Sequence, residues 1–313
     1  MSVAATEFEE IAASWRPGPS VTTGRLESGP TEKLAALLGV PAPGDGGPLP
    51  PLWHEIHLRD TVGMDALGAD GHPRSGALLP PLADRRRMFG GATVELTAPL
   101  RVGDEAVRTS QVADVRIREG RSGTLLLVTE EHRWTVAGEE RLRELRNIVY
   151  RRAADVGAPA PPRPASGEAS KTAQAAQTSQ TARSRETARV CQTDQPLETR
   201  VADERYLFAY SALTYNLHRI HYDAAYTREV EHHPALVVHG PLLVLWCAEH
   251  ARRQLAVASG KIVYRLTSPA YVGHEVAITS KPADGTPADG TLTVEATSQG
   301  RTCARMTVTT HGG

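Results

Sequence analysis

Cysteine is scarce in this chain of 313 residues, which has three, at positions 191, 247 and 303. They are odd in number, far apart and without the close spacing of zinc ligands. This pattern argues against a disulfide framework and against a structural metal site. We therefore predict a protein of a reduced, cytoplasmic compartment that has no metal and no redox cofactor.

Long hydrophobic runs and an excess of one charge are also missing. No uninterrupted apolar stretch approaches the roughly 20 residues of a membrane-spanning helix, and residues 1–15 lack the apolar core of an export signal. Lys and Arg number 35 against 36 Asp and Glu, which gives a formal net charge of −1. Neither nucleic acid nor a membrane surface is therefore an expected partner.

One segment differs in composition from the rest of the chain. Residues 155–190 are rich in Ala, Pro, Ser, Thr and Gln and have almost no large apolar side chains. Such a segment buries too little surface to offset its ordering entropy, so we predict a disordered linker. It separates residues 1–154 from residues 191–313. A hydrophobic content of 40% suits either one large core or two modest ones, and we expect two domains.

The two parts partly repeat each other. The pattern P-x-x-V-G-x-E occurs at 99–105 before the linker and at 269–275 after it. Runs rich in β-forming residues lie around each copy, and the matching positions favour a duplication over chance. The predicted strands are 107–118, 124–135 and 140–151 in the first part, and 261–267, 275–280, 291–297 and 302–310 in the second.

The helices predicted for the two parts are unequal. An apolar run begins at Gly240-Pro241 and ends at about Arg253, with proline at the first position and basic residues in the last turn, which predicts a buried central helix. The first part has only the shorter, more amphipathic stretch from Thr31 to Gly39. An antiparallel sheet around a helix, twice over, describes an α+β double hotdog fold whose N-terminal half is degenerate.

Two motifs carry a family resemblance. Tyr210-Ser-Ala-Leu-Thr-Tyr-Asn-Leu-His-Arg-Ile-His-Tyr-Asp223 and Val237-Val-His-Gly-Pro-Leu242 resemble the catalytic half of the MaoC-like dehydratases. The resemblance is narrower to the two-hotdog branch with mesaconyl-C4-CoA hydratases, itaconyl-CoA hydratases and type 2 hydroxyacyl-thioester dehydratases. Residues 79–104 are similar to the non-catalytic first hotdog of that branch. The resemblance implies a hydro-lyase acting on an enoyl or 3-hydroxyacyl thioester.

The wider family carries Ser-Gly-Asp-x-Asn-Pro-x-His-x-Asp at its catalytic loop. Against this motif, His221 takes the place of the catalytic histidine, and Asn216 takes the place of the catalytic aspartate. The resemblance therefore implies that His221 carries the proton while Asn216 orients the water. The Gly240 N–H at the helix start is the expected donor to the thioester oxygen, the alternative being a helix cap alone. Asp223 is expected to cap the next helix rather than to take part in catalysis.

The remaining candidate residues have two interpretations each. His218 and His239 either contact the substrate or order the loop and pack at the helix start. Arg219 either binds a second substrate carboxylate or forms an ion pair that holds the loop. Arg86 and Arg87, with Arg85, either grip coenzyme A phosphates or are ordinary surface charges. The sequence Glu231-His232-His233 looks like a ligand set, but adjacent histidines point apart, which favours a solvated loop over a metal site.

Several functions stay open at this point. The favoured one is hydration of a thioester, with an acyl-CoA or acyl carrier protein substrate, a homodimer as a further expectation, and a weak preference for mesaconyl-C4-CoA. The alternatives are a dehydratase for longer 3-hydroxyacyl chains, a non-catalytic thioester-binding protein, and a thioesterase. The thioesterase is disfavoured because its usual carboxylate base would have to be Glu249, far along the helix.

Overall fold

The computed structural model describes residues 3–82, 85–120, 123–152, 198–255, 257–282 and 290–311. The linker predicted at 155–190 lies outside these residues, and the limits of the two predicted domains stay a prediction. No helix in the described part of the chain is long and apolar enough to cross a membrane.

Within the described residues, ten antiparallel strands form one sheet, in the order β1-β3-β4-β5-β2-β7-β10-β9-β8-β6. Read from each edge inwards, the order is β1-β3-β4-β5-β2 in the first half and β6-β8-β9-β10-β7 in the second. The halves therefore have the same topology and meet where β2 pairs with β7. The strands are β1 Ser20–Arg25, β2 Arg85–Leu96, β3 Glu105–Gly120, β4 Gly123–Val136, β5 Glu139–Arg152, β6 Glu198–Val201, β7 Gly260–Leu266, β8 Glu275–Pro282, β9 Thr291–Ser298 and β10 Arg301–Thr310.

The helices differ between the halves as the sequence predicts. They are α1 Val3–Ser14, α2 Ser28–Leu38, α3 Glu204–Thr214, α4 Ala224–Glu229 and α5 Gly240–Arg252. In each half a helix follows the edge strand, α2 after β1 and α3 after β6. In the second half the short helix α4 and the long helix α5 follow α3. Residues 39–82 of the first half contain only short 3-10 turns, at Trp53–Ile56 and Met64–Ala66.

The central helix α5 is enclosed on nearly all sides. Every residue from Leu242 to Ala251 is buried, and the helix contacts strands β8, β9 and β10. The Trp53 indole of the first half donates a hydrogen bond of 3.0 Å to Oε1 of Glu249 near the end of α5. The hydrophobic core is continuous across both halves, so the first half helps to fix the position of α5.

A buried charged cluster lies where the halves join. Glu144 on β5 is fully buried and accepts hydrogen bonds from Arg146 at 2.8 Å and His54 at 3.3 Å. The Tyr264 hydroxyl on β7 lies 3.4 Å from both Glu144 and Glu55. Burial alone would raise the pKa of Glu144, but the Arg146 charge and the His54 hydrogen bond outweigh it and lower that pKa. Glu144 is therefore an ionised, fully paired group.

The predicted β-rich runs coincide with seven of the ten strands to within three residues. Strand β2 was not predicted, because its first residues, Arg85, Arg86 and Arg87, look like a phosphate-binding cluster in the sequence. The pairing of β2 with β5 on one side and β7 on the other makes it a central strand.

Candidate active site

Residues 215–223 correspond to the family's catalytic loop and are called the catalytic loop below; they begin where α3 ends. Tyr215 takes a left-handed conformation, φ 50°, which terminates the helix. The Asn216 side-chain oxygen then accepts a hydrogen bond of 3.1 Å from the backbone N–H of His218. An Asn side chain that bonds to the backbone two residues ahead forms an Asx turn. Here the turn leads into a 3-10 turn at Arg219–His221 and directs His221 inwards.

His221 is held in one tautomer. Its Nδ1 lies 2.7 Å from the carbonyl oxygen of Val237, and a carbonyl can only accept, so Nδ1 carries the hydrogen. The second nitrogen, Nε2, is therefore the basic one. Burial lowers the pKa of His221 to about 4, although the Val237 hydrogen bond acts in the opposite direction. At neutral pH His221 is an uncharged imidazole that can accept a proton.

His239 lies against one face of the His221 ring. The two rings stack with their centroids 3.6 Å apart and an angle of 19° between their planes. His239 is fully buried, and its Nε2 is 2.9 Å from the Ser211 hydroxyl on α3. This geometry gives His239 a packing role behind the base, at the cap of α5. Contact between His239 and a substrate stays a prediction.

His218 connects the catalytic loop with the first half. Its ring lies 5.7 Å from that of His221 and 4.1 Å from that of His72, both measured between centroids. Nδ1 of His72 is 2.9 Å from Oδ2 of Asp70. Burial and the nearby His72 and His221 lower the pKa of His218 to about 2, so its ring is neutral. A substrate contact of His218 stays a prediction.

Asp70, His72 and His218 are also a group of side chains, among the described residues, whose spacing could hold a metal ion. One donor atom from each lies within 4.8 Å of the other two. However, the carboxylate of Asp70 already accepts from both the backbone N–H and the Nδ1 of His72. The predicted alternative at Glu231-His232-His233 is dispersed, because Glu231 pairs with Arg86 while His233 faces the Tyr271 hydroxyl.

The start of α5 lies next to the stacked histidines. Gly240 is its first residue and His239 its cap. The first N–H groups of a helix have no partner within the helix and favour negative charge nearby. A methyl group at position 240 would lie 2.3 Å from Cδ1 of Leu266, so close packing against β7 is one reason for glycine here. A role for the Gly240 N–H at a thioester oxygen stays a prediction.

Arg219 is engaged by the protein itself. Its Nη2 is 2.6 Å from Oδ2 of Asp223, its Nη1 donates to the Ala69 carbonyl oxygen at 3.0 Å, and its guanidinium lies 4.1 Å from the centre of the Tyr226 ring. The second oxygen of Asp223 caps α4 by accepting from the Tyr226 N–H, as predicted. The geometry matches the loop-holding ion pair, and binding of a substrate carboxylate by Arg219 stays a prediction.

Arg86 and Arg87 are paired as well. Arg86 binds Oε2 of Glu231 at 3.0 Å and the Val230 carbonyl oxygen at 2.9 Å, which ties β2 to the end of α4. Arg87 lies 3.6 Å from the buried Glu130. Both side chains are at least two-thirds buried. A contact of either residue with coenzyme A therefore stays a prediction.

Comparison with known proteins places the fold and the loop in context. The family model described as hydroxyacyl-thioester dehydratase type 2 matches residues 52–272, more than half of the chain. The chain belongs to the hydroxyacyl-thioester dehydratase type 2 family. This membership confirms the hydro-lyase class that the motifs predict.

The individual proteins to which this chain is similar agree with the family assignment. The chain is 35% identical to mesaconyl-C(4)-CoA hydratase of Chloroflexus aurantiacus over 76% of this chain and 77% of that protein. It is 40% identical to the mitochondrial hydroxyacyl-thioester dehydratase type 2 of Schizosaccharomyces pombe, over 23% of this chain and 25% of that protein. A MaoC-like dehydratase from Phytophthora capsici superposes with a TM-score of 0.62 at 14% identity, covering 97% and 99% of the two chains, which confirms the double hotdog fold.

Two residues of this site, Asp70 and His72, were missed in the sequence. They lie about 150 residues before His221 in the chain, and nothing in their local pattern connects them with the catalytic loop. The carboxylate of Glu249, the base that a thioesterase would need, accepts hydrogen bonds from Trp53 and Arg252.

Proposed function

We propose that this member of the family adds water to an enoyl-CoA ester, with a branched dicarboxylic acyl group of the mesaconyl-C4-CoA type as the favoured substrate. The observation that carries the chemistry is the neutral, buried imidazole of His221, whose Nδ1 is fixed by Val237. The similarity to mesaconyl-C(4)-CoA hydratase over most of both chains supports the choice of acyl group.

His221 and Gly240 have different roles in the proposed reaction. Nε2 of His221 takes a proton from water while the water oxygen bonds to the β-carbon. The π electrons of the double bond move toward the α-carbon and the thioester oxygen, where the Gly240 N–H stabilises the negative charge. The enolate then takes up one proton at its α-carbon and His221 gives up the proton that it took from water, so the net change is the addition of one water. The same steps in reverse dehydrate a 3-hydroxyacyl thioester.

The carboxylate of the favoured substrate needs a cationic partner. Arg219 is the cation of the catalytic loop, and 37% of its side chain is exposed to solvent. A substrate carboxylate would compete with Asp223 for this guanidinium. Replacement of Arg219 by Gln is therefore expected to raise the KM for mesaconyl-C4-CoA more than the KM for crotonyl-CoA, which has no second carboxylate.

A second candidate is dehydration of a 3-hydroxyacyl chain carried by coenzyme A or acyl carrier protein. The match to the S. pombe hydroxyacyl-thioester dehydratase favours it. Both candidate reactions use the same groups of the site, so the acyl group that the protein turns over is what distinguishes them.

The test is to mix the purified protein with crotonyl-CoA and, separately, with mesaconyl-C4-CoA, and to follow the loss of enoyl-thioester absorbance with mass spectrometry of the products. Gain of one water, abolished in His221→Ala and retained in the exposed-surface control His274→Ala, supports the proposal. Free coenzyme A as product would indicate a thioesterase. Unchanged esters, with turnover of a 3-hydroxyacyl carrier-protein substrate, would favour the second candidate.

A further inference from the structure

The catalytic loop has a single histidine positioned as a base, and the residue in the place of the family's catalytic aspartate is Asn216. An amide does not ionise near neutral pH, so Asn216 cannot donate a proton to the α-carbon. Its oxygen is also turned back onto the His218 N–H. A second proton-transfer group, if the site has one, must come from elsewhere.

The first half contributes a group with the right chemistry. Asp70 and His72 form a carboxylate–imidazole pair in which Oδ2 of Asp70 is 2.9 Å from Nδ1 of His72, while Oδ1 accepts from the His72 backbone N–H at 3.0 Å. An ionised carboxylate only accepts, so Nδ1 carries the hydrogen and Nε2 is free for proton transfer. The same arrangement orients the histidine in a Ser-His-Asp triad and stabilises its protonated form.

The catalytic loop holds this pair in place. The Arg219 N–H donates to the Asp70 carbonyl oxygen at 2.9 Å, and the Arg219 guanidinium binds the neighbouring Ala69 carbonyl oxygen. Gly71, which lies between Asp70 and His72 in the chain, has a φ of +88° and comes very close to the catalytic loop. A Cβ added there would lie 1.8 Å from the Leu217 carbonyl oxygen. The loop 68–72 of the first half is therefore fitted to the residues that precede His221.

The pair is connected to the base through His218. The His72 ring lies 4.1 Å from that of His218, which in turn contacts His221. His72 keeps 19% of its side chain exposed, whereas His221 is buried. His72 is thus the more exposed of the two histidines, and His218 lies between them.

We propose that His72, oriented by Asp70, is the second proton-transfer group of this active site and is supplied by the half that has no catalytic loop of its own. The inference rests on the proposed hydration. In the forward direction protonated His72 gives its Nε2 proton to the α-carbon, and the electron pair of the enolate forms the new C–H bond. His221 meanwhile holds the proton taken from water. Transfer of that proton from His221 to His72 through solvent restores both rings, so the net change is addition of one water.

Three variants of the full chain test this role. Asp70→Asn keeps an oxygen for the His72 backbone N–H but presents an N–H to Nδ1, which reverses the tautomer of the ring. We expect kcat to fall by about 10-fold to 1000-fold, within the range for a general acid or base, with KM within about threefold of wild type. His72→Ala is expected to show a similar loss that added imidazole partly restores. His72→Gln, which cannot donate a proton in this way, is expected to lose activity without rescue.

The controls separate a chemical role from a structural one. His274→Ala, at an exposed histidine of the second half, is expected to keep wild-type kcat. Restoration of kcat with increasing imidazole concentration in His72→Ala, but not in His221→Ala, whose base is buried, would support the proposal. A kcat within twofold of wild type in Asp70→Asn and His72→Gln would overturn it, as would loss without rescue in a His72→Ala protein of unchanged melting temperature.

Two further outcomes bear on the same residues. Binding of one Zn²⁺ per chain, lost in His72→Ala and required for turnover, would make the cluster a metal site and overturn the proton-transfer role. Hydration by the wild type that depends on His221 but not on His72 overturns this inference alone. Absence of hydration by the wild type with either ester overturns the proposed function and this inference together.

Discussion

The imidazole rings of His221 and His239 lie face to face, 3.6 Å apart at their centroids. One ring is the candidate base and the other is the residue that caps α5, so the stack joins the catalytic loop to the start of the central helix. Together with the hydrogen bond to the Val237 carbonyl oxygen, the stack fixes the orientation of the His221 ring.

Removal of the stacking partner should therefore affect both activity and stability. His239→Ala is expected to lower kcat by about tenfold, because His221 loses its fixed orientation. It should also lower the free energy of unfolding by about 3 kcal/mol, through the cavity that it leaves. Ser211→Ala is the matched control, since it removes only the hydrogen bond to His239 and should cost about 1 kcal/mol. Steady-state kinetics and urea unfolding measure both effects. Equal kcat in His239→Ala and wild type would contradict the role of the stack.

The low pKa of His221 predicts an unusual pH profile. A base with the ordinary histidine pKa would lose half of its active form near pH 6.5, but burial lowers the pKa of His221 to about 4. We expect kcat/KM for crotonyl-CoA not to fall as the pH is lowered from about 7 to about 5, because His221 keeps its basic form over this range. The measurement is the initial rate at low substrate across this range, with a check that each enzyme sample regains full activity at pH 7. A midpoint near pH 6.5 would show that the base is exposed or is a different residue.

A second histidine, far from the catalytic loop in the chain, links stability to pH. His57 is buried, its Nε2 is 3.1 Å from the Thr31 hydroxyl, and burial together with His54 lowers its pKa to about 4. The unfolded chain takes up a proton near pH 6.5 and the folded chain does so only near pH 4. Stability is therefore lost as the pH falls through this window, by up to about 3 kcal/mol for this residue.

His57→Gln isolates that contribution, because glutamine can keep a hydrogen bond to Thr31 but does not titrate. The free energy of unfolding in urea, measured at pH 7 and at pH 4.5, should fall less in the variant than in the wild type. The same pH dependence in both proteins would contradict a buried, neutral His57.

The close fit of Gly71 predicts a coupling between the halves. Gly71→Ala places a methyl group against the Leu217 carbonyl oxygen and also strains a residue at φ +88°. Gly39→Ala is the matched control, since Gly39 has a similar φ of +69° but no atom within 4 Å of an added Cβ. We expect Gly39→Ala to cost about 1 kcal/mol with unchanged kcat, and Gly71→Ala to cost more and to lower kcat at least tenfold. Equal kinetics in the two variants would show that loop 68–72 does not position the catalytic loop.

The sequence predicts local features well. Alternating β-rich runs between glycine-containing turns predict β3–β5 and β7–β10, and Gly240-Pro241 predicts the start of α5, because these signals depend on neighbouring residues. Asp223 as a helix cap is predicted for the same reason. The Asp70–His72 pair is not, because its position beside His218 arises only when two distant segments pack together. The pairing of Arg219 with Asp223 was one of two interpretations, and only the three-dimensional arrangement shows where the guanidinium lies.

The ladder between β2 and β7 runs from Gly91 opposite Arg265 to Leu96 opposite Gly260. Its two strands belong to one polypeptide, so the halves remain side by side at any dilution, at an effective concentration that two separate chains would not reach. The second half supplies the catalytic loop for both, so the first half needs no such loop of its own. Its loop 68–72 instead supports the catalytic loop of the second half, within one sheet.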